Sequence, residues 1–426
     1  MGTSSAAAGG APGPVPAARA DGWVGPLTIG GSPGTYPGFD LAVAADGAMT
    51  MAYVEGGDVV LVQRPAGGGA WEAPVPLTVD GTANAVAAGY DGTGRLVVAW
   101  ADAPTKARLV TRRQLPDGSW SAREVVATRS RDRFWELDLE VNARGDAVLG
   151  AVWLGPRSSP LLVVRRPAGG AWSRPSRFDA ERYDLALGDR GPVAITWTTW
   201  ESGRSEVLAA RCPWSAGWGS TRVFARLRSP VLPLGASTAS VDDEGTTVIT
   251  WRDRAGDGSW QVRVARARRG HGFGPEVVVG RHAGNIDLAY SPPGVFTNAR
   301  GDTVVLWMRD NGRLLAVRRP AGGRWSTPVT IKTSRGLMPW SAALDPSGAA
   351  VAVWSRGGWF GDPGRGPDAA VMSGDGTWSA PTVLSPWKEG VLDPQVAMNG
   401  GVAVAAWLAV AEDPDTHYRA STYAGS

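Results

Sequence analysis

The chain has 426 residues, with 43 basic and 40 acidic side chains and a net charge of +3; only three of the basic residues, Lys106, Lys332 and Lys388, are lysines. No basic block or stripe stands out, which argues against a nucleic-acid partner, and the longest apolar run, VAVAAWLAVA, is about half of what a membrane-spanning helix needs. Cys212 is the single cysteine, so no internal disulfide forms, while 43% apolar residues with 21 Trp supply an ample core.

Residues 1–20 are low in complexity, rich in Ala, Gly and Pro, and read as a disordered leader ahead of one domain spanning 21–426. Ala18-Arg19-Ala20 resembles the small-x-small end of a secretory signal, though no apolar segment precedes it. The expectation is an exported, extracellular protein.

Trp23 with GPLTI then opens a pattern that runs to the C-terminus. In the first full copy, DLAVAADGAMTMAYVEGGDVVLVQRPAGGGAWEAPVPLT, four short runs rich in Val, Leu, Thr and aromatics are separated by Gly and Asp. Such runs predict four antiparallel strands, and no window of helical period competes with them. The first half of each copy ends at Tyr53, Trp100, Trp153, Trp197, Trp251, Trp307, Trp354 and Trp407. The second half carries Trp71, Trp120, Trp172, Trp218, Phe273, Trp325 and Trp378, with RPAGGGAW, RRPAGGAW and RRPAGGRW as its most alike forms. A period of about fifty residues built from four strands predicts a blade of a β-propeller.

The ends then complete each other. Trp23 belongs to a second half with no first half before it, and DPQVAMNGGVAVAAW with the strand near Tyr418 is a first half with no second half after it. The fold class is therefore all-β, a single propeller of eight four-stranded antiparallel blades, closed by a blade shared between the termini; seven is the alternative count if one copy is degenerate. The sixteen half-unit aromatics are expected to fill the space between blades.

Function in a repeat of this kind is expected where the loops vary. Loops entering first strands and leaving second strands differ in length and composition, and they share one face around the central channel. Aromatics that the repeat does not require gather there, among them Trp135, Trp200, Trp340, Trp359 and Trp387, interleaved with Arg131, Arg133, Arg252 and Arg309 and close to Tyr183. Taken singly, each such aromatic also suits anchoring its own loop. Together they form a candidate ligand-binding set, with rings to stack on sugar faces and guanidinium forks for hydroxyls or carboxylates. At the starts of first strands, Asp40, Asp138, Asp184 and Asp393 recur at one position relative to the turn glycine. Each could cap backbone N–H groups of its own loop; as a group of oxygen ligands around the channel mouth they are a candidate Ca²⁺ site.

The turns LPDGSW (Leu115 to Trp120) and SGDGTW (Ser373 to Trp378) resemble shortened forms of the Asp-box, S-x-D-x-G-x-T-W, of sialidase-like and related BNR-repeat propellers. The resemblance implies that Asp117 and Asp375 are the box aspartates, that Trp120 and Trp378 are its tryptophans, and that the box is structural and remote from the active face. The catalytic signature of sialidases is not matched, since the chain has no Arg-Ile-Pro and no assignable Arg triad. No zinc spacing, Gly-x-Ser-x-Gly elbow or phosphate loop is present. The expected function is thus a non-catalytic, monomeric binding propeller for a glycan or protein ligand. The alternative is a polysaccharide-active enzyme, a glycoside hydrolase or lyase, whose mark would be two carboxylates in one pocket.

Overall fold

A computed structural model describes residues 22–30, 38–103, 106–129, 134–153, 160–189, 192–201, 204–213, 217–228, 237–282, 292–309, 312–333, 339–355, 366–385, 390–410 and 417–424. The expected leader lies outside them. Every regular element among the described residues is a strand, and the strands form eight sheets of four. Blade 1 is Phe39–Val43, Met49–Glu55, Asp58–Arg64 and Val75–Pro76, joined antiparallel in chain order from channel to rim. Blades 2 to 7 repeat that order, beginning at Ala83, Phe134, Arg182, Ser237, Gly294 and Trp340.

Blade 8 closes the ring. Its inner strands are Gly390–Asn399, Val402–Val410 and His417–Ala424, and its outermost strand is Trp23–Gly30 from the opposite end of the chain. Trp23 pairs with Tyr423 and Gly30 with Tyr418. The count is therefore eight, with the termini clasped in one sheet as expected.

Burial explains the strand compositions. Second strands have neighbouring blades on both faces, so Leu96–Asp102 is buried throughout and reads as a continuous apolar run rather than an alternation. Fourth strands lie at the rim and are partly exposed, from two residues in blades 1 and 7 to eight in blade 8; Val75–Pro76 ends in a residue that cannot donate to a further strand. The core is divided into eight apolar clusters, one in each seam between adjacent blades.

Seam burial also sorts the repeat aromatics into two kinds. Those ending second strands face the preceding blade, and all but the half-buried Trp153 are buried, with Trp100, Trp251, Trp307, Trp354, Trp407 and Tyr53 at 1% exposure or less. Those of the second half also pack against the seam clusters, as expected, but Trp120, Trp172, Trp218, Phe273, Trp325 and Trp378 are only half-buried there. They sit in the turn before the rim strand, where the blade has widened beyond its neighbour. Trp23 and Trp71 are the buried members of that set.

The two Asp-box-like turns share one geometry. Asp117 Oδ1 accepts from the backbone N–H and hydroxyl of Ser119, Asp375 Oδ1 accepts from the Ser373 hydroxyl and the Thr377 N–H, and Trp120 and Trp378 each form a bridge to the end of the third strand. Gly118 and Gly376 hold positive φ of 82° and 97° in these turns.

Candidate functional site

The first strands touch one another around the ring and enclose the channel. Their side chains alternate between the two blade faces, because successive residues of a strand point to opposite sides. In blade 3, Phe134–Val141 sends Leu137 and Leu139 into the seam with blade 2. Glu136, Asp138 and Glu140 take the other face, toward blade 4, and line a chamber of about 290 Å³ with Asp40, Tyr183, Asp184 and Gln395. A larger chamber of about 740 Å³ adjoins it; Glu140 and Asp184 line both, and Thr238, Ser240, Trp340 and Asp393 line the larger one.

One hydrogen-bond motif runs around this wall. A polar side chain near the middle of a first strand accepts from a backbone N–H of the next blade's first strand. Asp40 Oδ2 accepts from Ala88 N at 2.8 Å, Asp138 Oδ2 from Leu185 N at 3.2 Å, and Asp184 Oδ2 from Ala239 N at 2.7 Å. Thr238 Oγ1 accepts from Val295 N at 2.9 Å, and Ser341 Oγ from Val396 N at 3.3 Å. A backbone donor at the edge of five of the sheets is thereby satisfied across the seam, as a buried backbone N–H requires. Asp40, Asp138 and Asp184 thus bond to the neighbouring blade, Asp40 also taking the N–H of its successor, Leu41, whereas Asp393 Oδ2 accepts from Gln395 Nε2 of its own strand at 3.1 Å. Among the described residues, no group of three or more His, Cys, Asp or Glu is arranged to hold a metal ion.

The electrostatics follow from enclosure. These carboxyls are surrounded by protein while opening onto the channel, so burial disfavours their charged forms. Asp40 is raised to about 6, Asp184 to about 7 and Glu140 to about 8. Asp138 is raised well above its ordinary value by burial and then by Glu140, Asp184 and Asp40. Burial also raises Glu136, against the pull of Arg182, whose Nη1 donates to Glu136 Oε2 at 3.2 Å. Near neutral pH the wall is a shared, partly protonated carboxyl cluster.

The structure brings together part of the predicted ligand set. Tyr183 and Trp340 lie on the channel wall with Asp40, Asp138, Asp184 and Asp393. Tyr183 is held fast: its hydroxyl donates to the Glu136 carbonyl at 3.3 Å, and its ring occupies the space above Gly150, where an added Cβ would come within 2.7 Å of it. Trp340 is half-buried against Gly294 and Phe296. Arg252 is elsewhere, buried with Nη2 donating to the Met308 carbonyl of blade 6, and burial lowers it to about 10. Arg309 begins the tight turn between the second and third strands of blade 6. The backbones of Trp135 and Trp200 lie in strands, with their side chains outside the description; Arg131, Arg133, Trp359 and Trp387 lie outside the described residues. Glu136 and Glu140 are the functional candidates that sequence reading missed. The signal was the alternation of FWELDLEV, which puts three acids on one face of a strand otherwise apolar.

A closed ring of eight four-stranded antiparallel blades around a channel is a β-propeller. No family model matches the chain, and no curated sequence matches it. Solved structures do match in fold. The BP39L lectin from Burkholderia pseudomallei aligns with a TM-score of 0.54 at 15% identity, over 82% of this chain and 99% of that one. The polysaccharide lyase Uly1 aligns with a TM-score of 0.51 at 10% identity, over 92% and 91%. A puromycin hydrolase aligns with a TM-score of 0.51 at 14% identity, over 88% of this chain but only 59% of that one. At these identities the likeness is one of architecture.

Proposed function

We propose that this chain is an extracellular glycan-binding propeller that takes an uncharged sugar chain at its channel. The observation that carries this reading is the wall of the 740 Å³ chamber, which combines hydroxyl, carboxyl and indole groups and, among the described residues, no cationic side chain. Ser240 and Ser341 each accept a backbone N–H and retain a hydroxyl proton to donate, while Asp184 keeps a second oxygen free of the bond to Ala239. Such groups pair with sugar hydroxyls, and Trp340 supplies an apolar surface for a ring face. An acidic sugar would meet Asp184, Asp393 and Glu140 with no described cation to offset them, which disfavours a sialic acid or uronate ligand. The similarity in fold to a protein named as a lectin agrees with this reading. A glycan array followed by calorimetry tests it: neutral oligosaccharides bind, and Trp340→Ala abolishes the heat. Exclusive binding of acidic glycans, or none, overturns the reading.

A second reading is favoured by one specific observation. Glu136, Asp138, Glu140 and Asp184 share the smaller chamber, and burial raises all four, which suits one of them to stay protonated as the general acid of a glycoside hydrolase beside a second carboxyl. Incubation with polysaccharides and analysis for new reducing ends decides between the two; hydrolysis that disappears in Glu140→Gln would establish an enzyme.

A further inference from the structure

The face opposite the channel mouth carries the turns after the third strands, and two of its seams hold arginines that no carboxylate pairs. Arg166 ends the third strand of blade 3 and is only 4% exposed. Its Cζ lies 5.0 Å from the centroid of Trp172, whose Nε1 donates across the seam to Thr111 Oγ1 of blade 2 at 3.1 Å. Arg166 Nε is sealed from solvent without an acceptor. Arg113, at the end of the third strand of blade 2, is exposed and close enough to disfavour the charge on Arg166, adding to the effect of burial. Glu124 and Asp91 attract Arg166 from a distance, but neither forms an ion pair with it.

A related cluster, with Arg266 and Arg319 half-buried and no described ring stacked on them, lies between blades 5 and 6. Arg266 Nε and Arg319 Nη1 are both sealed without acceptors, and each guanidinium feels the like charge of exposed Arg268. Asp242 draws on Arg266 only at a distance. Gathered guanidiniums with unmet N–H groups are unfavourable unless an anion completes them. Their planar forks suit an oxyanion better than a point charge.

We propose that each of these two seams binds one tetrahedral oxyanion, a sulfate or phosphate, as the free ion or as an ester on a larger molecule. In the first seam the anion sits between Arg113 and Arg166, with Trp172 holding the buried guanidinium in place. In the second it sits among Arg266, Arg268 and Arg319. Neither site draws on the channel, so the proposal stands whether or not a sugar binds there.

Thermal unfolding in sodium sulfate and sodium phosphate, against sodium chloride at equal ionic strength, tests this on the whole chain. The expected result is a saturable rise in Tm with the oxyanions. The double variant Arg113→Gln with Arg268→Gln, both exposed side chains whose loss leaves the fold intact, weakens the apparent affinity at least tenfold. Arg166→Gln should abolish the effect at one seam, and if that variant does not fold, the exposed pair decides. A sulfated oligosaccharide that binds more tightly than sulfate identifies an ester as the source; equal affinity identifies the free ion. A Tm rise that is linear in salt and identical in wild type and double variant is general salt stabilisation, and it would overturn the proposal.

Discussion

Trp23 is the residue on which ring closure can be tested most directly. It is 1% exposed, lies 5.3 Å from the ring of Tyr423, and packs against Val351, Val353 and Leu384 of blade 7 as well as Trp407 of its own blade. A buried Trp removes roughly 150–250 Å² from water, which at about 25 cal/mol per Å² is about 4–6 kcal/mol as an upper bound. Trp23→Ala keeps the Cβ and lets the seam relax in part, so a loss of about 4 kcal/mol is expected, within the usual span for such truncations. With an unfolding entropy of about 2.1 cal/mol/K per residue over roughly 400 residues, this corresponds to a fall in Tm of about 5 °C. Denaturant unfolding followed by far-UV circular dichroism measures the first quantity, and native-state hydrogen exchange shows where it acts. Because the strand seals the last seam, protection should fall in blades 7, 8 and 1 together. A change below about 1 kcal/mol, or a loss of protection confined to Trp23–Gly30, would refute the clasp as the element that holds the ring.

Trp172→Ala should cost only about 1–2 kcal/mol, since the ring is half-buried and loses one hydrogen bond and its contact with Arg166; the same assay checks it against Trp23→Ala. The carboxyls of the channel are raised in the folded state, so they bind protons more tightly there than in the unfolded chain, and stability falls as pH rises through their titration. With Asp40 at about 6, Asp184 at about 7 and Glu140 at about 8, the decline runs from about pH 4 to about pH 8. Urea midpoints across that range should show it, Glu140→Gln should flatten its upper end, and a midpoint that rises with pH there would contradict the enclosure of the cluster. Lys332 Nζ and Asp368 Oδ2 form a 2.6 Å pair with both side chains largely buried, so Lys332→Met should cost about 3–5 kcal/mol, and Lys332→Met with Asp368→Leu should recover most of it in a double-mutant cycle. Gly150→Ala drives a Cβ to within 2.6 Å of Leu185 and 2.7 Å of Tyr183, and should lose about 1–3 kcal/mol by overpacking, read from the same midpoints.

Much of this protein is decided by local pattern. Four Gly- and Asp-punctuated runs per fifty residues determine a four-stranded blade, the split copy at the two ends determines which sheet closes the ring, and the aromatic ending each apolar run determines what fills most seams. These features depend on neighbours a few residues away, or on repetition itself, so they are legible in one dimension. The rest depends on which blades become adjacent. That Asp138 staples to Leu185, that Glu136 and Glu140 join it in one chamber with Asp40 from two blades away, and that Trp172 reaches Thr111 of the neighbouring blade all follow from the angle between sheets. So does the partial exposure of Trp172, because blades splay apart toward the rim. Ionisation was the least readable property, since the sequence shows six acids as solvated charges and only the closed channel removes the water that would keep them so.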